Sequence, residues 1–559
     1  MINNHSDKAI ENYLNEKNIK SGLKSLDSIQ TISNSIFSIL RTSIGPRSQS
    51  KLIIKSDGSY LISNDGSTIL RNLSMRNSIG NVLVQISLSQ DREIGDGTTS
   101  VVLITCELLR LLIQYLQRNS LEQKYHQITL TQVLYEFLTL IDTELLPSIS
   151  MEYQQSLDRN NEILYKLAGV ALGTKHYSYW TDNLTQLIID SVEFCNNTVS
   201  KKIDLRNSLQ IQKLYSGNDT IESSEFLRSS CILTLSSVPM LLVSNDNQNS
   251  IRIIIINSKS FFNSVNSSPI RDLTEMNNYF QRDDRFANEF VKVIEKYGVS
   301  AVFCRHQIPD QLLQLLQMNR ISVIQNITED SLEKLERLSS SIGINSLNDL
   351  STINIGTLTD LELLTKYENE YYLKCTNNGD TKSSNGVSVI LLKGPTKDIV
   401  DDLEIGIIDS LYLLKSTLES SSRLVYGGGC FEMALAAKLL EYCNGLPLGS
   451  LKRDIGEILA ETFQVIPMLL LINSSLDQTS MTPQTILSNL IKKHQTTSTK
   501  SNDALCSLGI DGWSGDIKDM STLNIIEPLT LKKSIINTSF EACITFLRID
   551  TYLHFIEDE

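Results

Sequence analysis

Apolar positions recur at helical spacing through the first 150 residues, and Ile29–Leu40 is the first clear case, broken by Arg41-Thr-Ser-Ile-Gly-Pro-Arg47. Leu52-Ile-Ile54 and Tyr60-Leu-Ile62 read instead as short strands joined by a turn at Asp57-Gly58. Val82–Leu88 and Thr99–Leu116 are apolar enough to be buried helices. The middle third changes period. Pro239–Val243, Ile251–Ile256, Val299–Cys304 and Ile321–Ile327 are short apolar strands, with helical stretches Phe286–Tyr297 and Pro309–Met318 between them. That alternation predicts a small α/β domain. The polar patches 244–250 and 377–380 read as loops. The last third returns to helices at Asp398–Ser416, Phe431–Tyr442, Ile455–Val465 and Thr482–Lys493. The polar tract Gln495–Asn502 then reads as an exposed loop, and Leu529–Phe555 as a helix with a strand-like tail.

A chain of 559 residues exceeds one core and suggests about three or four domains. Composition adds a folded, acidic chain, with 41% hydrophobic residues and a net charge of −14. No basic stripe is present, which argues against nucleic acid as a partner. The nine cysteines show no C-x-x-C spacing, so reduced thiols and a cytoplasmic setting are expected. The six histidines form no metal-ligand pattern. The start lacks the apolar core of a signal peptide, and apolar runs such as Ile253–Ile256 and Met468–Ile472 are too short to cross a bilayer, so no membrane insertion is expected.

Candidate chemistry rests on three aspartates: Asp65, Asp96 and Asp409. Asp65-Gly66 lies in Ser-Asn-Asp-Gly-Ser-Thr, a setting that an ordinary turn also explains. Gly95-Asp96-Gly97-Thr98-Thr99-Ser100 carries more: two glycines flank an acid at a helix start, so backbone N–H groups, hydroxyls and a carboxylate converge as phosphate and Mg²⁺ require. Asp409 sits among Ile405, Ile407, Ile408 and Leu411. It is either the exposed edge of an amphipathic helix or a base that orients water. Gly45-Pro46 is a helix stop or a turn presenting N–H groups to phosphate. Gly427-Gly428-Gly429 before a helix is a flexible loop or a close-approach site for a flat ligand. No G-x-x-x-x-G-K-[ST] is present, which disfavours an ordinary P-loop NTPase, and no G-x-G-x-x-G follows a strand.

Taken in order, these segments resemble the group II chaperonins. Arg41–Pro46 is similar to the family's phosphate-loop stretch, Ser63–Ile69 to its Asn-Asp-Gly-Ala-Thr-Ile, and Gln90–Thr99 to its hallmark. Val425–Glu432 resembles its Gly-Gly-Gly-Ala-x-Glu, Gly509–Met520 with Ile526–Leu529 its nucleotide-base segment, and Phe546–Asp550 its C-terminal strand. The resemblance implies a multidomain α+β chaperonin fold: a helical equatorial ATP-binding domain from 1–150 and 405–559, a hinge from 151–215 and 366–404, and an α/β apical client-binding domain at 216–365. It implies ATP and Mg²⁺ as cofactors, with Asp96 on the metal. Gly45, Pro46, Gly66, Gly95, Gly97, Thr98, Thr99 and Ser100 would surround the phosphates. Asp65 and Asp409 would place the water, and Lys175 would sense the γ-phosphate. Gly428, Gly429, Asp511 and Gly512 would border the base and Glu527 the ribose.

The implied function is ATP-dependent folding or assembly of protein clients through nucleotide-driven domain closure, alongside other chaperonin subunits in a ring. Two departures bear on it. Gly45-Pro-Arg-Ser48 lacks the family's second glycine, and Ile405 stands where an arginine is usual. Within the family, Gln314–Ile321, Gly428–Glu432 and Phe555–Glu559 resemble the McKusick–Kaufman/Bardet–Biedl syndrome chaperonin branch. That branch implies a centrosome or basal-body association. The alternatives to an ATP-dependent chaperone are a non-hydrolysing scaffold or assembly factor and a divergent subunit of the cytosolic ring chaperonin.

Overall fold

The computed structural model describes residues 20–21, 23–55, 58–73, 78–120, 126–152, 157–173, 181–196, 203–217, 219–235, 250–258, 273–346, 354–367, 370–377, 386–419, 423–474, 482–500, 506–549 and 551–552. The chain mixes helices and small sheets and divides into two compact units, Met1–Thr185 with Ile405–Glu559, and Gln186–Glu404.

The first unit is built around the helix Thr98–Ser120. Val101, Val102, Leu103, Cys106, Leu108, Leu109, Leu112 and Ile113 are all buried, so this helix is apolar nearly all round and must be covered on every side. Helices Leu23–Leu40, Ser78–Glu93, Leu451–Phe463 and Leu529–Leu547 supply that cover. Segments from both ends of the sequence thus share one core. Two stretches, Thr98–Arg118 and Leu451–Asn473, are after all long and apolar enough to cross a bilayer, which corrects the count made from unbroken apolar runs. In each, 67% of the apolar window is buried against the rest of the protein, so its apolar surface is already spent on the core.

The hairpin is formed as expected. Lys51–Ile54 pairs antiparallel with Tyr60–Ser63, placing Leu52 opposite Ile62 and Ile54 opposite Tyr60. Gly58 has φ +82°, and Asp57 lies outside the described residues. The tail strand Thr551–Tyr552 pairs with Lys20–Ser21. One expectation fails. The helix Pro483–Lys500 runs on through most of the tract read as a loop, its remainder lying outside the described residues. Hydroxyls continue such a helix when they bond back to its carbonyls, and Thr496 Oγ1 donates to the Lys493 carbonyl at 3.0 Å. The His494 ring also meets the Leu508 carbonyl at 2.9 Å, which anchors the turn that the tract leaves from.

The second unit holds the α/β alternation. Ser322–Ile324, Ala301–Cys304 and Ile251–Ile256 lie side by side in parallel, with Gly356–Leu358 antiparallel at the edge. Ile253, Ile254, Ile255 and Ile256 are all buried because both faces of this sheet are covered, which is why the strand reads as a continuous apolar run. Helices Leu273–Tyr297 and Asp310–Met318 connect the parallel strands. Ser322–Ile324 is shorter than the apolar run suggested, since the chain turns at Asn326 with φ +60°. Two further three-stranded sheets complete the unit. The expected strand 239–243 lies outside the described residues.

Candidate functional site

The site begins where the first long helix ends. After Leu40 a single tight turn, Arg41–Ser43, leads to Gly45 at φ +88°. The Ser48 N–H donates to the Gly45 carbonyl at 3.1 Å, and the Asn473 side-chain amide donates to the carbonyls of Arg41 and Ile44 at 2.9 and 3.0 Å. Gly45-Pro46 is therefore a helix stop and also a braced loop.

Asp65 caps the helix Gly66–Asn72. Its Oδ2 accepts the Thr68 N–H at 2.8 Å and the Ser67 hydroxyl at 2.7 Å. The Thr98 hydroxyl lies 3.3 Å from Asp65 Oδ1, so this acid ties together the starts of two helices. Asp96 lies between Gly95 at φ +83° and Gly97 at φ +77°. Its Oδ1 accepts the Gly97 N–H at 2.6 Å, and its carbonyl accepts from Gln90 Nε2 at 3.0 Å. The helix opens at Thr98, leaving the N–H groups of its first turn without intrahelical acceptors, at the positive end of the helix dipole.

Asp409 belongs to the helix Lys397–Glu419 and is only 9% exposed, so the exposed-edge reading fails. A Cβ on Gly95 would strike Tyr412 and approach the Asp409 carbonyl, so it is this glycine that lets the Asp96 loop lie against the Asp409 helix. The outcome is a cavity of about 110 Å³ lined by Gly45, Asp65, Asp96, Thr98, Thr99, Ser100 and Asp409. Gly97 lies against Ile535 and Leu531 and also needs positive φ. Gly97→Ala is expected to cost ~2 kcal/mol of stability, from backbone strain plus displaced packing, read as a lower midpoint in urea unfolding.

A second cavity, of about 560 Å³, shares Ile44, Gly45, Asp96, Gly97 and Ser100 with the first and extends to Pro46, Gly428, Gly429, Asp511, Gly512 and Glu527. The two cavities adjoin at these shared residues. Gly66 and Gly95 line neither part; a side chain on Gly66 would meet Thr99, so it serves close packing behind the wall. Lys175 lies outside the described residues. The carboxylate of Asp511 is committed to its own loop, accepting from the Trp513 N–H and the Ser514 hydroxyl at 3.0 Å and from Lys518 Nζ at 2.6 Å. Burial pushes its pKa up, but these donors, Lys518 foremost, outweigh burial and hold it below the ordinary range.

Several lining groups carried no signal in the sequence. Lys532 is the foremost. Its Nζ sits 2.8 Å from Glu432 Oε1 and 2.5 Å from Glu527 Oε2, with side chains 9%, 4% and 20% exposed in that order. Burial pushes the Glu527 carboxyl up, against the pull of Lys532, with Glu432 and Asp96 adding to the rise. Burial alone would lower Lys532, yet the two glutamates hold it above the usual lysine range. Glu432 stands at the end of the Val425–Glu432 segment, while nothing in the sequence around Lys532 singles it out. Tyr165 donates to Asp182 Oδ1 at 2.6 Å on another wall, and this bond, with burial, pushes the phenol up to about 12.

Among the described residues no three His, Cys, Asp or Glu side chains converge as a metal cage. The Asp96 carboxylate, on a cavity that Asp65 and Asp409 also line, suits Mg²⁺, which keeps its waters and takes one or two carboxylates plus substrate phosphates.

Residues 36–554 match the TCP-1/cpn60 chaperonin family, to which the chain belongs. Its relatives fall on the group II side. The T-complex protein 1 subunit gamma of Encephalitozoon cuniculi is 26% identical over 92% of this chain and 93% of its own length. The thermosome subunit alpha of Archaeoglobus fulgidus is 26% identical over 91% and 88%. The T-complex protein 1 subunit gamma of Saccharomyces cerevisiae is 24% identical over 93% of both.

Proposed function

We propose that the chain is an ATP-driven chaperone that binds and hydrolyses ATP across the two adjoining cavities of its first unit and couples turnover to domain closure around a protein client. The observation that carries this reading is the meeting of Asp65, Asp96 and Asp409 with the first turn of the Thr98–Ser120 helix around one cavity. The N–H groups and hydroxyls of Thr98, Thr99 and Ser100 would take phosphate oxygens, with the Gly45-Pro46 turn on the other side. Mg²⁺ held by Asp96 would supply charge neutralisation at those oxygens. Asp65 fixes the two helix starts, and Asp409, delivered from a third helix, orients the attacking water. Gly428, Gly429 and Gly512 leave room for the flat end of the nucleotide. Measurement of ATP turnover by the purified protein, with Asp409→Ala beside it, tests the reading; absence of turnover in the unaltered chain overturns it.

The 51–63 hairpin supports assembly with other subunits. Leu52, Ile54, Tyr60 and Ile62 are all exposed, with Ile54 at 74%. Two short apolar strands that pair only with each other among the described residues invite pairing with a neighbouring chain. The native particle is expected to be several times the monomer mass by light scattering, and Ile54→Lys to shift it toward monomer.

One observation favours a non-hydrolysing scaffold of the McKusick–Kaufman/Bardet–Biedl type as the second reading. Ser48, in place of the second glycine, accepts a 2.8 Å hydrogen bond from Asn64 Nδ2, which stiffens the turn beside the phosphates. A scaffold of this kind would bind ATP without turning it over.

A further inference from the structure

We propose that Trp513, braced by Arg47, is the nucleobase contact of the large cavity and sets its preference for a nucleotide over a bare triphosphate. This rests on the ATP reading above and adds a residue to it.

Two loops remote in sequence meet at this end of the hollow. A Cβ on Gly512 would collide with the ring of Pro46, so the 511–515 loop and the Gly45-Pro46 turn are in direct backbone-level contact. Their next residues also touch: the Arg47 guanidinium lies 5.7 Å from the centroid of the Trp513 ring. The backbone under Trp513 is fixed. Its N–H donates to Asp511 Oδ1, the Gly515 N–H donates to the Asp511 carbonyl at 2.8 Å, and the Asp511 N–H donates to the Asp516 carbonyl at 3.0 Å. The indole itself is not part of the core. It is 51% exposed, lines the cavity, and has the apolar residues Ile510, Leu523 and Ile525 around the same hollow.

The exposed half of the indole lies on a braced loop at the cavity, where a flat ligand entering the cavity would cover it. The guanidinium accounts for part of that surface. A cation–π contact at an exposed site is weak, so it orients the ring without locking it. The remaining surface suits a flat aromatic ligand, and stacking against a base tolerates any base because each has a π-face. The phosphate-facing groups lie at the shared wall of Gly45, Asp96, Gly97 and Ser100. One ligand therefore meets anion-binding amides at one end and an indole at the other, as a nucleoside triphosphate requires.

The test compares ATP with inorganic tripolyphosphate, each with Mg²⁺, by calorimetric titration of the full chain. Trp513→Ala is expected to weaken ATP about tenfold and leave tripolyphosphate unchanged. Trp513→Phe should restore most of the loss, and Arg47→Ala should cost about threefold for ATP alone. In a Trp180→Phe background, which leaves Trp513 as the sole indole, ATP should change the emission and tripolyphosphate should not. If ATP binds the unaltered chain and Trp513→Ala leaves that affinity intact, or weakens both ligands alike, the indole is not the base contact. If the unaltered chain binds no ATP, the nucleotide reading fails first and takes this proposal with it.

Discussion

Asp409→Ala is expected to lower ATP turnover about a thousandfold while ATP affinity stays within about threefold of the unaltered chain. Asp409 shares its cavity with the amides that would hold the phosphates, yet it comes from the helix Lys397–Glu419, remote in sequence from the binding loops. Removing it takes no hydrogen-bond donor away from a triphosphate. It removes a negative charge near an anion, so binding holds or tightens slightly. The loss falls on the step in which water must be aligned and its proton accepted, contributions worth about two to four orders of magnitude. Asp409→Asn is the control, since it keeps the volume at a position only 9% exposed. Single-turnover rates with radiolabelled ATP, alongside equilibrium binding, separate the two effects. A variant that keeps the full rate removes Asp409 from the chemistry. A large loss of affinity instead assigns it to binding.

Much of this site was legible because its parts are local. The glycine-flanked Asp96 and the helix start beside Thr98 occupy a few consecutive residues whose turn chemistry is written in their side chains, whereas Asp65, which reads as a turn, proves to be the cap of the helix Gly66–Asn72. The strand Ile251–Ile256 was legible because burial on both faces leaves the apolar run Ile253–Ile256, only Arg252 being exposed. What was not legible depends on distant partners. Nothing near Asp409 reveals that Gly95 admits its helix, nothing near Arg47 reveals Trp513, and the sequence about Lys532 does not show two glutamates waiting for it. The tract 495–500 misled because serine and threonine are usual in loops, and only the Thr496 back-bond to the Lys493 carbonyl and the His494 anchor reverse that expectation.

Lys532→Met is the largest stability loss expected of any single change in the first unit. The lysine is the sole cation in hydrogen-bonding contact with both Glu432 and Glu527 among the described ion pairs, and Glu432 Oε2 already has no hydrogen-bond partner. Taking the lysine away leaves two buried carboxylates to repel each other with no counter-charge. Removal of one partner from such a buried group costs about 3–5 kcal/mol. The sign of the pH dependence follows from the shifts. Burial already raises Glu527 above its unfolded value, so the folded state holds that proton more tightly, and this group's contribution is most favourable at low pH and is lost as pH rises through its folded pKa. Without Lys532 the downward pull on that pKa disappears and the same window moves higher. The deficit of Lys532→Met, measured by urea unfolding, should therefore be smaller near pH 5 than near pH 8. Adding Glu432→Gln and Glu527→Gln should recover most of the loss at pH 8, because neutral amides need no counter-ion. A Lys532→Met chain that unfolds with unchanged midpoint at both pH values would show that water already reaches these carboxylates. The polar floor of the hollow would then owe its shape to the glycine turns around it, and ATP would meet a softer wall than the ion triad builds.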